Sequence, residues 1–258
     1  MEIGTRLMVF GGGPLSTEAL AEFHGWGKGK RGTRLLIVAW ASEEPELTVG
    51  AIAERFSPHG VKTVAASLRP PETEAERAEF LAELARASAV FFSGGDQNRI
   101  ARAIEHPGLR DALHESYRSG IPFAGTSAGT AVMSLLMFSG DGDPGALDAS
   151  AVRLGRGLGL CEGVIFDQHF LKRQRQNRLF AAILEHPECV GVGVDEGSAL
   201  EILDGRYARV HGPEKVMRVE KVGTSRSLSV EVFHAGESFD LFAGASSSEL
   251  AYANDAAS

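Results

Sequence analysis

Pro122-Phe123-Ala124-Gly125-Thr126-Ser127-Ala128-Gly129-Thr130 passes from a short apolar stretch through small residues into a segment of Ala, Val, Leu and Met. An apolar run this short suits a buried strand, and the residues behind it suit a tight strand-to-helix turn. Positions 125–129 fit G-x-S-x-G, in which a serine sits on a strained turn and presents its hydroxyl at the end of a sheet. The demand is steric. Small neighbours let the backbone fold tightly, and N–H groups at the helix start are left to meet an oxyanion. A plain turn of small residues satisfies the same demand, so the pentapeptide leaves both readings open. Residues 128–137 are expected to continue as a buried helix.

Upstream, short apolar runs alternate with amphipathic segments. Arg6-Leu7-Met8-Val9-Phe10 reads as a strand ending in Gly11-Gly12-Gly13, and further strands are expected at 34–40, 61–67 and 89–92. Helical spacing marks 46–56 and 72–86, the second with Phe80, Leu81, Leu84 and Ala85 on one face. Two more helical stretches meet at Pro107-Gly108. Downstream, 164–166 and 190–194 read as strands around a helix ending near Glu185. This alternation predicts a three-layer α/β fold with a mostly parallel central sheet and helices on both faces. From Ala199 the runs shorten, with a turn at Asp204-Gly205, and predict C-terminal antiparallel β additions. One domain is expected over residues 1–258, with 243–258 as a frayed tail.

Apolar residues make up 43% and charged residues 23% of the 258, a globular balance. A net charge of −8 argues against broad nucleic-acid binding, which needs a basic face. No secretory signal is read at the N-terminus. The uncharged stretch 119–140 carries too many turn and polar residues for a lipid-facing helix. The reading is a cytoplasmic protein with no membrane partner. Cys161 and Cys189 cannot build a disulfide scaffold and suit buried apolar filling.

A serine nucleophile needs a base. His106 and His186 precede prolines at helix ends, His114 lies in a charged helix, and His24, His59, His211 and His234 read as surface residues. His169 differs: Val164-Ile165-Phe166-Asp167-Gln168-His169 places it just past a buried strand, where active-site loops of α/β sheets gather. Lys172, Arg173, Arg175 and Arg178 follow at once. They suit either a solvated face or a site for carboxylates. A helix begun before this run would put Arg173 on the face of Phe180 and Leu184, so either the helix starts later or Arg173 points into a partly enclosed site. Ser93-Gly94-Gly95-Asp96-Gln97 and Asp195-Glu196 also fall at strand ends, and all four clusters are expected on one edge of one sheet. The order Ser127, His169, Glu196 is not that of the α/β-hydrolases. Gly11-Gly12-Gly13 lacks the continuation of a nucleotide-binding loop and reads as a tight turn beside the same edge. No metal spacing occurs, and no cofactor is implied.

These motifs, with Gly157-Leu158-Gly159-Leu160 and Asp195-Glu196-Gly197-Ser198-Ala199, resemble the cyanophycinases. Those are serine peptidases related to peptidase E, with a class I glutamine-amidotransferase-like fold. The resemblance covers most of residues 90–200. It implies Ser127 as nucleophile, His169 as general base and then acid, and Glu196 as the carboxylate that orients His169. It implies an oxyanion hole from the Gly95 and Ala128 N–H groups, and substrate contacts from Gln97, Asp167, Gln168, Arg173, Arg175 and Arg178. The implied substrate is cyanophycin, a poly-aspartate carrying arginine on each side-chain carboxyl, cleaved to β-aspartyl-arginine. A homodimer is expected from the same resemblance. The alternatives are an aspartyl dipeptidase of the peptidase E type without polymer activity, and a catalytically silent binding module. Trp40 is expected near the pocket; the 25–32 loop has no assigned role. The acid limb of activity is expected at roughly pH 6–7, where an ordinary histidine titrates.

Overall fold

The apolar runs become strands that end at glycines or turns, and capped amphipathic segments become the helices between them. In the computed structural model, which describes residues 4–28, 33–148, 150 and 152–243, the chain opens with β1 (Arg6–Phe10), α1 (Thr17–Trp26), β2 (Arg34–Val38) and α2 (Pro45–Phe56). It continues through β3 (Thr63–Ser67), α3 (Glu74–Arg86), β4 (Ala89–Phe92), α4 (Gln97–Ala103), α5 (Pro107–Arg118) and β5 (Phe123–Thr126). Next come α6 (Ala128–Ala131), β6 (Leu136–Phe138), β7 (Leu154–Arg156), β8 (Val164–Gln168), α7 (Gln176–Glu185) and β9 (Val190–Val194). The last strands are β10 (Ala199–Leu203), β11 (Tyr207–His211), β12 (Val216–Val222), β13 (Ser227–Phe233) and β14 (Ser238–Asp240). The tail expected at 243–258 lies outside the described residues beyond Ala243, as do positions 29–32 of the glycine-rich loop.

Local chemistry starts the helices. Ser16 and Asp96 cap α1 and α4, Thr73 and Glu76 form a capping box on α3, and prolines open α2 and α5. The central sheet runs β14-β11-β10-β1-β5-β4-β2-β3, parallel from β1 through β5, β4 and β2 to β3, and antiparallel from β1 outward through β10. Its inner parallel strands β1, β2, β4 and β5 are buried on both faces, as a covered parallel sheet requires. Leu7, Val9, Leu36, Val38, Val90 and Phe92 join one core with α3 and α5; Met8, Phe10, Leu35, Ile37 and Phe91 join the other with α1 and α2.

Two expectations change. The strands expected at 164–166 and 190–194 pair with each other, but in a second sheet of order β13-β12-β9-β8, with α7 packed on it. The place beside β1 is taken by β10, which four turn residues after β9 deliver antiparallel onto that edge. The helix expected over 128–137 stops at Ala131, and Leu136, Met137 and Phe138 form β6. Its continuation is lost because the carbonyls of Val132, Met133 and Ser134 accept from the N–H groups of Leu158, Leu160 and Gly159 instead of the next helical turn.

Trp40 lies in the core rather than at a pocket: it is fully buried, stacks near Phe80 at 4.9 Å and donates to Ser67 Oγ. Cys161 and Cys189 are buried free thiols, both pushed up to about 12 by burial. Among the described residues no helix is long and apolar enough to cross a membrane.

His24 and His211, expected at the surface, are buried. His211 Nε2 lies 2.8 Å from Glu201 Oε2 and Nδ1 lies 3.3 Å from Glu18 Oε1, and the bond to Glu201 raises its pKa above the ordinary imidazole value. A raised folded pKa contributes stability that is complete below the unfolded value near 6.5 and is lost as pH rises through the folded value. Urea midpoints of the wild type minus those of His211→Gln should therefore shrink as pH rises above about 6.5. A constant difference would place the stabilisation elsewhere.

Candidate active site

Residues 125–129 build the turn for the expected steric reason. A Cβ on Gly125 would overlap the Gly129 carbonyl, and one on Gly129 would overlap that of Phe92. Ser127 is thereby held at φ 52°, ψ −111°, a conformation that costs a non-glycine residue roughly 1–3 kcal/mol. Hydrogen bonds hold it there. Ser127 N donates to Phe10 O at 3.3 Å, and its carbonyl accepts from Thr130 and Ala131 N at 2.9 and 3.0 Å. Thr130 Oγ1 lies 2.7 Å from both Phe10 O and Gly125 O.

The hydroxyl so presented meets a hydrogen-bonded chain. Ser127 Oγ lies 2.8 Å from His169 Nε2, and His169 Nδ1 lies 2.6 Å from Glu196 Oε1. His169 follows β8 directly with a positive φ of 51°, its N–H donating to Gly11 O at 2.7 Å. Glu196 follows β9, and Gly197 N donates to Gly12 O at 3.1 Å. The four clusters therefore converge from two sheets rather than lying on one edge: Ser127 and Gly94-Gly95 follow β5 and β4, while His169 and Glu196 follow β8 and β9.

Gly11-Gly12-Gly13 is the seam between them, a larger part than a turn beside the site. Gly12 lies against the imidazole, where any Cβ would enter the ring, and a Cβ on Gly13 would stand 3.1 Å from Glu196 Oε2. Three glycines closing a buried strand were the available signal. What they face is set by contacts distant in sequence. Gly94 borders the hydroxyl, a Cβ there standing 3.9 Å from Ser127 Oγ. Gly95, at φ +134°, passes so close to the Ala41 carbonyl that no side chain fits. Ala128 opens α6, where helix geometry leaves the first N–H groups without intrahelical acceptors.

Burial, and secondarily the charge of Arg173, hold His169 below the ordinary imidazole pKa, with Glu196 opposing; Glu196 is itself lowered by its bond from His169. A neutral imidazole follows, with Nδ1–H donating to Glu196 and Nε2 free to accept from the Ser127 hydroxyl. Any limb due to His169 accordingly falls below about 6.5 rather than across the 6–7 range expected from an unperturbed histidine.

The arginines separate into two groups. The helix α7 begins only at Gln176, which settles the question over Arg173: it is exposed and precedes the helix. Arg178 is buried and grips the fully buried Asp167, donating Nε–H to Oδ2 at 2.7 Å and a second bond to Oδ1. It also donates to the carbonyls of Gly140 and Asp141 and lies over the Phe138 ring at 4.5 Å. Arg175, also buried, donates to Gln168 O and Asp141 Oδ1, both at 2.7 Å. Burial raises the Asp167 carboxyl while Arg178 and Arg175 pull it down. Gln97 donates to Phe138 O at 2.8 Å, and buried Gln168 has no hydrogen-bond partner for its Oε1 among the described residues. Arg173, Arg175 and Arg178 share a cavity of about 210 Å³ with Asp141 and Asp143. Among the described residues no three His, Cys, Asp or Glu side chains are grouped to hold a metal.

Among known proteins, the model of peptidase family S51 matches residues 15–210. The cyanophycinase of Synechococcus elongatus is 38% identical over 185 residues, 71% of this chain but only 58% of that protein's length. Peptidase E of Streptomyces coelicolor is 31% identical over 159 residues, covering 58% of this chain and 63% of its own. The crystal structure of a peptidase from an acI-B1 actinobacterium superposes with a TM-score of 0.72 at 21% identity, over 93% of this chain and 98% of that one. The architecture is of the class I glutamine-amidotransferase-like kind.

Two outcomes follow from this geometry. The rate at which a serine-directed phosphonate labels Ser127 should fall as pH drops through a value below about 6.5, and Arg173→Gln should move that limb upward by removing an opposing positive charge. A limb unmoved in Arg173→Gln would remove the arginine's influence on His169. Arg178→Met should destabilise the protein by about 3–5 kcal/mol because it strands a buried carboxylate, whereas Asp167→Leu/Arg178→Met should recover much of that loss. Equal losses in urea denaturation would contradict the pairing.

Proposed function

The chain belongs to peptidase family S51, and from that premise we propose that it is a serine exopeptidase of the cyanophycinase kind. The observation that carries this reading is the Ser127–His169–Glu196 chain, with donor–acceptor distances of 2.8 and 2.6 Å. Neutral His169 takes the Ser127 proton as Oγ attacks the scissile carbonyl, and Glu196 stabilises the imidazolium that forms. The Gly95 and Ala128 N–H groups receive the oxyanion. As the carbon–nitrogen bond breaks, His169 gives its proton to the departing amine and leaves an acyl-Ser127. Water, deprotonated by the same imidazole, then attacks the acyl-enzyme and restores the serine.

The proposed substrate is cyanophycin, released as β-aspartyl-arginine dipeptides. The relationship to a protein named cyanophycinase supports it, as does the chemistry around the hydroxyl. Arg173 is exposed beside His169 and binds a substrate carboxylate; Gln97 and Gln168 supply amide groups. In this reading Asp167, Arg175 and Arg178 act through position, since their charges are already committed to one another and to the loop after β6. The likeness to peptidase E favours a second reading, a dipeptidase for aspartyl or isoaspartyl peptides that leaves the polymer untouched. The family resemblance further suggests a homodimer, for which light scattering should give twice the chain mass.

Purified protein on insoluble cyanophycin granules should release β-aspartyl-arginine, detected by mass. Ser127→Ala should lower kcat by several orders of magnitude, leaving at most about 10³–10⁴-fold over water from binding and oxyanion contacts. Release that persists in Ser127→Ala would remove the serine mechanism. Turnover of aspartyl dipeptides with intact granules would select the second reading.

A further inference from the structure

A cavity of about 700 Å³ lies between α4, α5 and the β6–β7 hairpin, and none of the triad residues lines it. Its walls set Arg102, Arg110 and Arg156 against Asp96, Glu105 and Asp111. The near wall begins at Asp96, one residue after the Gly94-Gly95 pair that borders Ser127 Oγ, and Asp96 caps α4. Asn98 ties the same helix to the end of β6 by donating to Ser139 O at 3.1 Å. Arg102 lies six residues beyond Asp96 along the same helix, about 9 Å at a rise of 1.5 Å per residue.

Arg110 and Arg156 line the same cavity. Arg110 donates from Nη2 to the Gly157 carbonyl, while its buried Nε has no acceptor among the described residues. Burial, and after it the nearby charge of Arg156, weakens the Arg110 guanidinium's hold on its proton; Asp111 compensates only in part. Among the described residues no ion pair joins Arg110 or Arg156 to a carboxylate. Two guanidiniums that line one cavity without a carboxylate partner form an arrangement that an external carboxylate completes, because Arg binds carboxylates through paired N–H donors.

We propose that Arg110 and Arg156 form a carboxylate-binding subsite that holds a peptide substrate at a second point, remote from the bond cleaved at Ser127. The inference rests on the proposed peptidase function and deepens it. A chain that alternates carboxylate and guanidinium matches a wall that presents both signs, and a single dipeptide held at Ser127 leaves this cavity, which no triad residue lines, unfilled.

The test uses full-length Ser127→Ala protein, which binds without turnover, and calorimetry with soluble aspartyl-arginine oligomers of one unit and of six units. Adding Arg156→Glu, an exposed change, should weaken six-unit binding by about tenfold or more, the loss of one charge-assisted contact, and leave one-unit binding within about twofold. Arg110→Gln is the second variant and should behave in the same way; circular dichroism establishes that each is folded. Equal weakening at both lengths, or none at either, overturns the subsite. Inorganic phosphate that binds through Arg156 and is not displaced by the six-unit oligomer would make this a free-anion site and also overturns it. Length-dependent binding through Arg156 in a protein whose wild type cleaves no aspartyl peptide would keep the subsite while removing the proposed activity.

Discussion

The carbonyls of Phe10, Gly11 and Gly12 each hold a different arm of the Ser127 site: Phe10 O accepts from Ser127 N and Thr130 Oγ1, Gly11 O from His169 N, and Gly12 O from Gly197 N. Gly11 N in turn donates to Ser198 O. One short piece of main chain at the end of β1 is thus bonded to segments from β5, β8 and β9, and β1 is itself fixed between β5 and β10. Side chains could not share that space. Gly12 lies where a Cβ would enter the imidazole, and Gly11 lies against the carbonyls of Val194 and Asp195. Backbone alone is narrow enough to bring two sheets within hydrogen-bond distance of one serine.

That seam explains how strain is sustained. Ser127 and His169 both sit at positive φ, each in a conformation that a free chain would leave. Both are over-determined by bonds to the same strand, so relaxing either would break contacts of the other. The product is a pair of side chains aimed at one another before any ligand arrives. Preorganised donors and acceptors of this kind need no rearrangement when charge develops.

Charge is arranged in two tiers around the seam. Asp167 and Arg178 neutralise one another in the interior and, through Arg175 and Asp141, pin the loop after β6 against α7. Arg173, two residues before Arg175, stands in solvent near His169. A run of arginines thus divides into structural members and an accessible one. The division depends on where α7 begins and on what lies beneath it.

The local pattern in the sequence was enough for the alternation of strands and helices, for the turn at Gly125-Gly129 and for the chemical candidacy of Ser127, His169 and Glu196. Each depends on neighbours a few residues apart: small residues around a serine, apolar runs ending in polar ones, and prolines or caps at helix starts. Long-range contacts decided the rest. Residues 132–134 gave up helix because distant N–H groups of 158–160 claimed their carbonyls. His211 and Trp40 were buried with partners ten or more residues away, Glu201 and Glu18 for one, Ser67 and Phe80 for the other. The assignment of β8 and β9 to a second sheet was equally out of reach, because an apolar strand reads the same whichever edge receives it, and only the competition of β10 for β1 decided the outcome.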